Sequence, residues 1–229
     1  MTDELENAAP AKQFDMLKAM GDNAMSSIIK KVNEDIAGAQ SGKSILGFQD
    51  IMADAAGATV GGINSGTTTI WESQRYMTSK TFLTQTNTNV FDGFIAVNNL
   101  TDACRKQGAT KFRHYTTYSI VSAYRSALSS AEYGQVSLGN VTGVGGKQSP
   151  PWYGDPVTPD NDIASLHWYA VDNSAVKLNV IRGANFRKTP FADLTSNGQL
   201  GQIAYIVAGI QLTTNNRRRS GVATALTGI

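Results

Sequence analysis

From Phe14 to Ile36 the apolar positions are Phe14, Leu17, Met20, Ala24, Ile28, Val32 and Ile36. Their spacing of three or four residues is that of one helical face. Lys18, Asp22, Asn23, Lys30, Lys31, Glu34 and Asp35 lie between them and predict a solvated opposite face. Small residues follow, and Gly38 or Gly42 predicts the helix stop. Residues 50–70 are small, β-branched and glycine-rich, the pattern of one or two strands with turns. Helical spacing returns over 92–107: Asp92 caps, Ile95, Leu100 and Cys104 share a stripe, and Gly108 ends the run. Residues 110–118 predict a strand, and Ser119 opens a second helix with Val121, Tyr124 and Leu128 on one face. Glycines and prolines crowd 134–162 and predict a long loop. Residues 165–171 and 175–181 predict a strand pair turning at 172–174. Residues 201–215 read as one long apolar strand covered on both faces. The class is mixed α and β, without an internal repeat.

Composition narrows this only slightly. The chain has 229 residues, 41% hydrophobic and 17% charged, an ordinary globular balance. No apolar run approaches the ~18 residues of a membrane span. The acidic, polar start lacks the pattern of a secretory signal and predicts an arm-like extension. One cysteine, Cys104, excludes an internal disulfide framework and points to a reducing cytoplasm. Net charge is +2, unevenly placed. Residues 1–60 carry nine acidic side chains against five lysines, whereas 177–229 carry seven basic side chains against Asp193. Such asymmetry suits head-to-tail contact between copies, or a surface turned to a polyanion.

Candidate chemistry is sparse. Ala37–Ser44, AGAQSGKS, is one residue from a phosphate-binding loop. Such a loop needs a strand before it, and the periodicity before Ala37 is helical, so Gly42-Lys43-Ser44 reads as a cap and turn. His114 and His167 fall inside predicted strands, where packing roles dominate. One cysteine and two scattered histidines do not make a zinc site. GINSG at 62–66 puts Ser65 one place late for a nucleophile elbow, and GVGGKQ at 143–148 lacks the last glycine of a dinucleotide loop. Asp155, Asp160 and Asp162 lack the following glutamate of a calcium loop. No catalytic, cofactor or metal residue is assigned. Trp152 and Tyr153 sit among prolines, as a surface anchor for another chain or a plug over the chain's own core. Arg217, Arg218 and Arg219 follow the long apolar strand. If it continues, Arg217 and Arg219 share one face and Arg218 takes the other, with acidic segments of an adjacent subunit as expected partners.

Four segments occur in order: NAMSSIIKKVNEDI, GATVGGINSGTTTIWESQ, KFRHYTTYSIVSAYRSAL, and the C-terminal run from NVIRGANFRK through IAYIVAGIQLTTNNRRRSGVATALTGI. Together they resemble the major capsid proteins of tailed bacteriophages, of the Hong Kong ninety-seven type. The points of likeness are Gly62-Ile63 running to Trp71, the region from Tyr115 to Tyr124, then Asn216-Arg217-Arg218, Gly221-Val222 and Gly228-Ile229. The resemblance covers roughly residues 14–229, with only about 13 residues before the long helix, shorter than that family's arm and extended loop. It implies an α+β capsid fold with a long spine helix, a peripheral-domain sheet and an inserted α/β axial domain. The implied division is a short arm over 1–13, peripheral domain over 14–85, axial domain over 86–182, and a return to the peripheral domain over 183–229. It further implies a non-enzymatic shell subunit that associates with itself into pentamers and hexamers. Scaffolding, portal or decoration proteins are further implied partners, with DNA near by proximity only and no membrane. The place implied is the virion, after assembly in the host cytoplasm. A bacterial nanocompartment shell shares the fold and is the alternative; a nucleotide-binding enzyme is the third reading. Arg217, Arg218, Arg219, Trp152 and Tyr153 are the expected subunit-interface residues.

Overall fold

The computed structural model describes residues 10–77, 80–82, 92–129, 151–193 and 202–227. The chain divides into two compact units, one of residues 1–33 with 179–211 and a larger one of 34–178 with 212–229. Helix α1 (Pro10–Ala37) starts four residues earlier than the periodicity predicts. Pro10 at its first turn lacks an N–H that would have no intrahelical partner anyway. At its end Gly38 N–H still donates to Glu34 O.

The larger unit continues with the short helix α2 (Phe48–Ile51). Gly47 is required just before it. A Cβ there would lie 2.0 Å from Gly38 O and 2.6 Å from Asp35 O, so only glycine lets the chain double back on the helix end. Next come the two-residue strands β1 (Thr59–Val60) and β2 (Ile63–Asn64), an antiparallel hairpin turning through Gly61 and Gly62, both at positive φ. A 3₁₀ turn (Thr69–Trp71), β3 (Gln74–Tyr76) and β4 (Lys80–Thr81) follow. Helix α3 (Asp92–Lys106) ends as its sequence predicts, with Gly108 at φ 87°. Strand β5 is Phe112–Thr116. Helix α4 (Tyr118–Ser129) begins just after Thr117, two residues before the predicted cap. Then come β6 (Val157–Pro159), β7 (Trp168–Asp172) and β8 (Val176–Val180).

Residues 168–180 do not form the predicted hairpin. β7 enters the five-stranded sheet, of order β3-β14-β7-β5-β6, where β14 is Gly221–Ala223 near the C-terminus. β8 leaves to pair with β13 (Ile210–Thr214). The predicted 201–215 strand is likewise three pieces: β11 (Gln202–Ile203), β12 (Ile206–Val207) and β13. β11 pairs with β10 (Ala192–Asp193), and β12 with β9 (Arg187–Lys188). The ribbon is not covered on both faces, since Tyr205 is 60% and Val207 45% exposed. β15 (Leu226–Thr227) pairs in parallel with β4.

Side chains alternate across the sheet and build two cores. On one face Phe112, Trp168, Ala170 and Ala223 pack with Leu100, Val97 and Cys104 of α3 and Ile120 and Tyr124 of α4. On the other, Tyr169, Val171 and Val222 pack with Phe48, Ile51, Met52 and Ala37. Double coverage explains the apolar run from Trp168 to Val171 in β7, a strand buried at every position including Asp172 at its end. Within the sheet Gly221 is a point of close approach: a Cβ there would meet Gln74 O at 2.5 Å and the Leu100 side chain at 2.7 Å.

Candidate functional site

The arginine run is not a strand. Arg217–Arg219 form a 3₁₀ turn that Asn216 opens, its Oδ1 accepting from Arg218 N–H at 3.1 Å. The turn sends the three side chains to three different environments, which alternation along a strand could not do. Arg217 is 1% exposed. Its guanidinium donates to Ile51 O at 2.7 Å, Asp50 O at 3.0 Å and Trp71 O at 3.2 Å. It therefore satisfies carbonyls at the end of α2 and of the first 3₁₀ turn, which no intrahelical N–H reaches. Burial lowers its pKa, while Glu72 and Asp50 oppose that shift. Arg219 Nε lies 2.8 Å from Asp172 Oδ2, and its Nη2 donates to Gly108 O at 2.5 Å. Arg217 and Arg219 thus have their partners inside their own chain. The sequence signal for this was Asn216, a capping residue placed just before the run.

Arg218 differs. Its guanidinium has no partner among the described residues, and it lines a polar cavity of about 350 Å³ with Thr69, Glu72, Ser73, Gln74 and Arg75. Arg75 Nη2 there holds Glu72 Oε1 at 2.5 Å.

Trp152 and Tyr153, adjacent in sequence, also separate. Trp152 is 3% exposed and packs on Phe94, Tyr124 and Trp168 at centroid distances of 5.5–5.7 Å. Tyr153 is 70% exposed at φ 49°, followed by Gly154 at φ 88°. Trp152 and Asp155 exchange both backbone hydrogen bonds around this two-residue turn. The twist of such a turn needs positive φ at both central residues, which glycine tolerates and tyrosine resists. The Arg105 guanidinium sits 5.8 Å from both the Tyr153 and Phe112 ring centroids.

The loop at 37–44 offers no phosphate cradle. A helix precedes it. Gln40 N–H donates to Asp50 Oδ2 and Ser41 N–H to Ser44 Oγ, so these donors serve the loop itself. His114 is fully buried, and its Nδ1 accepts from Trp168 Nε1 at 3.0 Å. Burial, with Arg105 adding to it, holds its pKa down at about 3. Cys104 is buried, its thiol pushed up to about 12, chiefly by burial and then by Asp172. His167 Nε2 stands 3.8 Å from Asp54 Oδ2. Among the described residues no three His, Cys, Asp or Glu side chains converge as a metal site, and no helix is long and apolar enough to cross a membrane.

No protein-family model matches the chain, and no curated protein matches it. Solved structures do. The cyanophage A-1(L) capsid asymmetric unit superposes with a TM-score of 0.66 at 18% identity, over 94% of this chain and 69% of that one. The capsid of an empty GTA particle gives a TM-score of 0.62 at 12% identity, over 92% of this chain and 72% of that one. The chain has the α+β fold of phage capsid proteins.

Proposed function

We propose that this chain is a major capsid protein, the repeated structural subunit of an icosahedral phage head. The observation that carries it is the match to a phage capsid fold over 94% of the chain. Copies associate into pentamers and hexamers that enclose DNA, and symmetry sums many modest interfaces. Tyr153, presented on its tight turn against Arg105, is the interface anchor we assign. Scaffolding or portal proteins act as assembly partners in the host cytoplasm, and the finished location is the virion. The chain performs no chemistry of its own in this reading. Negative-stain microscopy of the purified chain across concentration and ionic strength tests it. Closed shells, or capsomers with five- and six-fold symmetry, are expected. A monomer under every condition tried would overturn the reading.

A further inference from the structure

We propose that the cavity lined by Arg218 and Arg75 is a binding site for a phosphate group. The first observation is an unanswered charge. Arg217 and Arg219, on either side, are held by carbonyls and by Asp172, whereas the Arg218 guanidinium has no partner among the described residues. Its position is nonetheless fixed at the backbone, through Asn216. The second is the donor set. Arg218, Arg75, Thr69, Ser73 and Gln74, residue types that all carry hydrogen-bond donors, line one open cavity of about 350 Å³. A planar carboxylate offers two oxygens and would leave part of this set unused. A tetrahedral oxyanion offers more acceptors in three dimensions, and guanidinium groups match its edges two bonds at a time.

The third observation is the charge balance. Glu72 neutralises one guanidinium through Arg75, at 2.5 Å, and holds it against the wall. The lining is left with one net positive charge, from Arg218. That suits a singly charged phosphate, either a diester in a nucleic-acid backbone or free monobasic phosphate. The cavity is far from the phosphate-loop look-alike in sequence and shares no residue with it.

Thermal melting of the purified chain is the test, in sodium phosphate against sodium acetate and sodium chloride at matched low ionic strength. A saturable rise in melting temperature with phosphate alone is expected. Arg218→Gln removes a side chain that holds nothing in the fold, so it should melt as the parent does without phosphate and lose the rise. Should that variant fail to fold, amide ¹H–¹⁵N shifts of the parent on phosphate addition decide, and they should cluster at residues 69–75 and 218. Fluorescence anisotropy of a labelled ten-nucleotide oligothymidine distinguishes the sources. Binding that free phosphate displaces and that Arg218→Gln weakens at least fivefold assigns the site to a nucleic-acid backbone. Phosphate binding without oligonucleotide binding assigns it to free phosphate. An equal response to acetate, a phosphate response that persists in Arg218→Gln, or no response to either phosphate probe overturns the proposal.

Discussion

The two units of the chain bury their apolar side chains in opposite measure. Among the described residues every buried hydrophobic side chain lies in the larger unit, in the two clusters flanking the five-stranded sheet or beside them. The described residues of the smaller unit include none, while Met20, Ile29, Val180, Ile181, Phe191, Tyr205 and Val207 are exposed by 40% or more; the larger unit also exposes apolar side chains, Ile70 and Tyr153 among them, but beside a core. The larger unit can thus be stabilised by its own core. The described part of the smaller one is a helix segment and a narrow ribbon without such a core, and exposed apolar side chains of this kind can serve contact with other molecules. If the proposed shell role holds, this division has a use: one part keeps its shape, and the other has apolar side chains that copies could cover when they meet.

The largest effect is expected where the larger unit is densest. Trp168 is fully buried and meets Phe82, His114, Tyr124 and Trp152 within 6.0 Å. Trp168→Ala should cost about 3–5 kcal/mol, enough to remove most of the folded protein. Denaturant unfolding checks this; a loss below about 1 kcal/mol would break the contrast between the units. Arg217→Gln should come next, at about 3 kcal/mol, since it leaves carbonyls of Asp50, Ile51 and Trp71 without their donor. Arg218→Gln should lie within about 0.5 kcal/mol of the parent. Equal melting of these two neighbouring variants would contradict the buried clamp.

The pH dependence sharpens the same contrast, because His114 belongs to the larger core. Its folded pKa is about 3, against an ordinary value of about 6.5. Between those values the unfolded chain binds the extra proton. The stability that His114 contributes is therefore complete above pH 6.5 and falls as pH drops toward 3, by about 1.4 kcal/mol per unit. From pH 7.5 to 5 the loss should be about 2 kcal/mol. Urea unfolding at pH 7.5 and 5.0 measures it, and His114→Gln should flatten the change; an unaltered slope in that variant would exclude His114 as its source.

How much of this was legible in the sequence follows from the range of the forces involved. α1, α3 and β5 are set by neighbours three or four residues apart, or alternate ones, and their patterns place them to within a few residues. The partners of β7 and β8 are not local. The run 165–181 reads as a hairpin, yet β7 finds β14, some fifty residues on, and β8 finds β13. The arginine run shows the same limit at the candidate site. Its charge was visible, but its separation into one buried clamp, one ion pair and one unpaired guanidinium depends on a 3₁₀ turn and on carbonyls some 146–167 residues away. Trp152 and Tyr153 stand out in the sequence as a pair, an anchor for another chain or a plug over the core. Which ring plugs the core and which faces out is decided by the turn they share.

The smallest effect on folding is expected in the smaller unit, and there it separates folding from assembly. Tyr205 and Val207 lie on the ribbon, and Tyr205 is held by its backbone: its N–H donates to Thr189 Oγ1 and its carbonyl accepts from Thr189 N–H, both at 2.8 Å. Tyr205→Ser with Val207→Thr keeps those bonds and removes two side chains already 60% and 45% exposed. Little buried area is lost, so denaturant unfolding should move by no more than about 0.5 kcal/mol. If copies cover this surface, however, each loses the apolar contact at every interface of a symmetric shell, and small losses repeat. Sedimentation and microscopy should then show unassembled subunits at concentrations where the parent forms particles. Normal assembly by the double variant would mean that this patch stays in water in the particle, and that the unit without a core is covered by other residues.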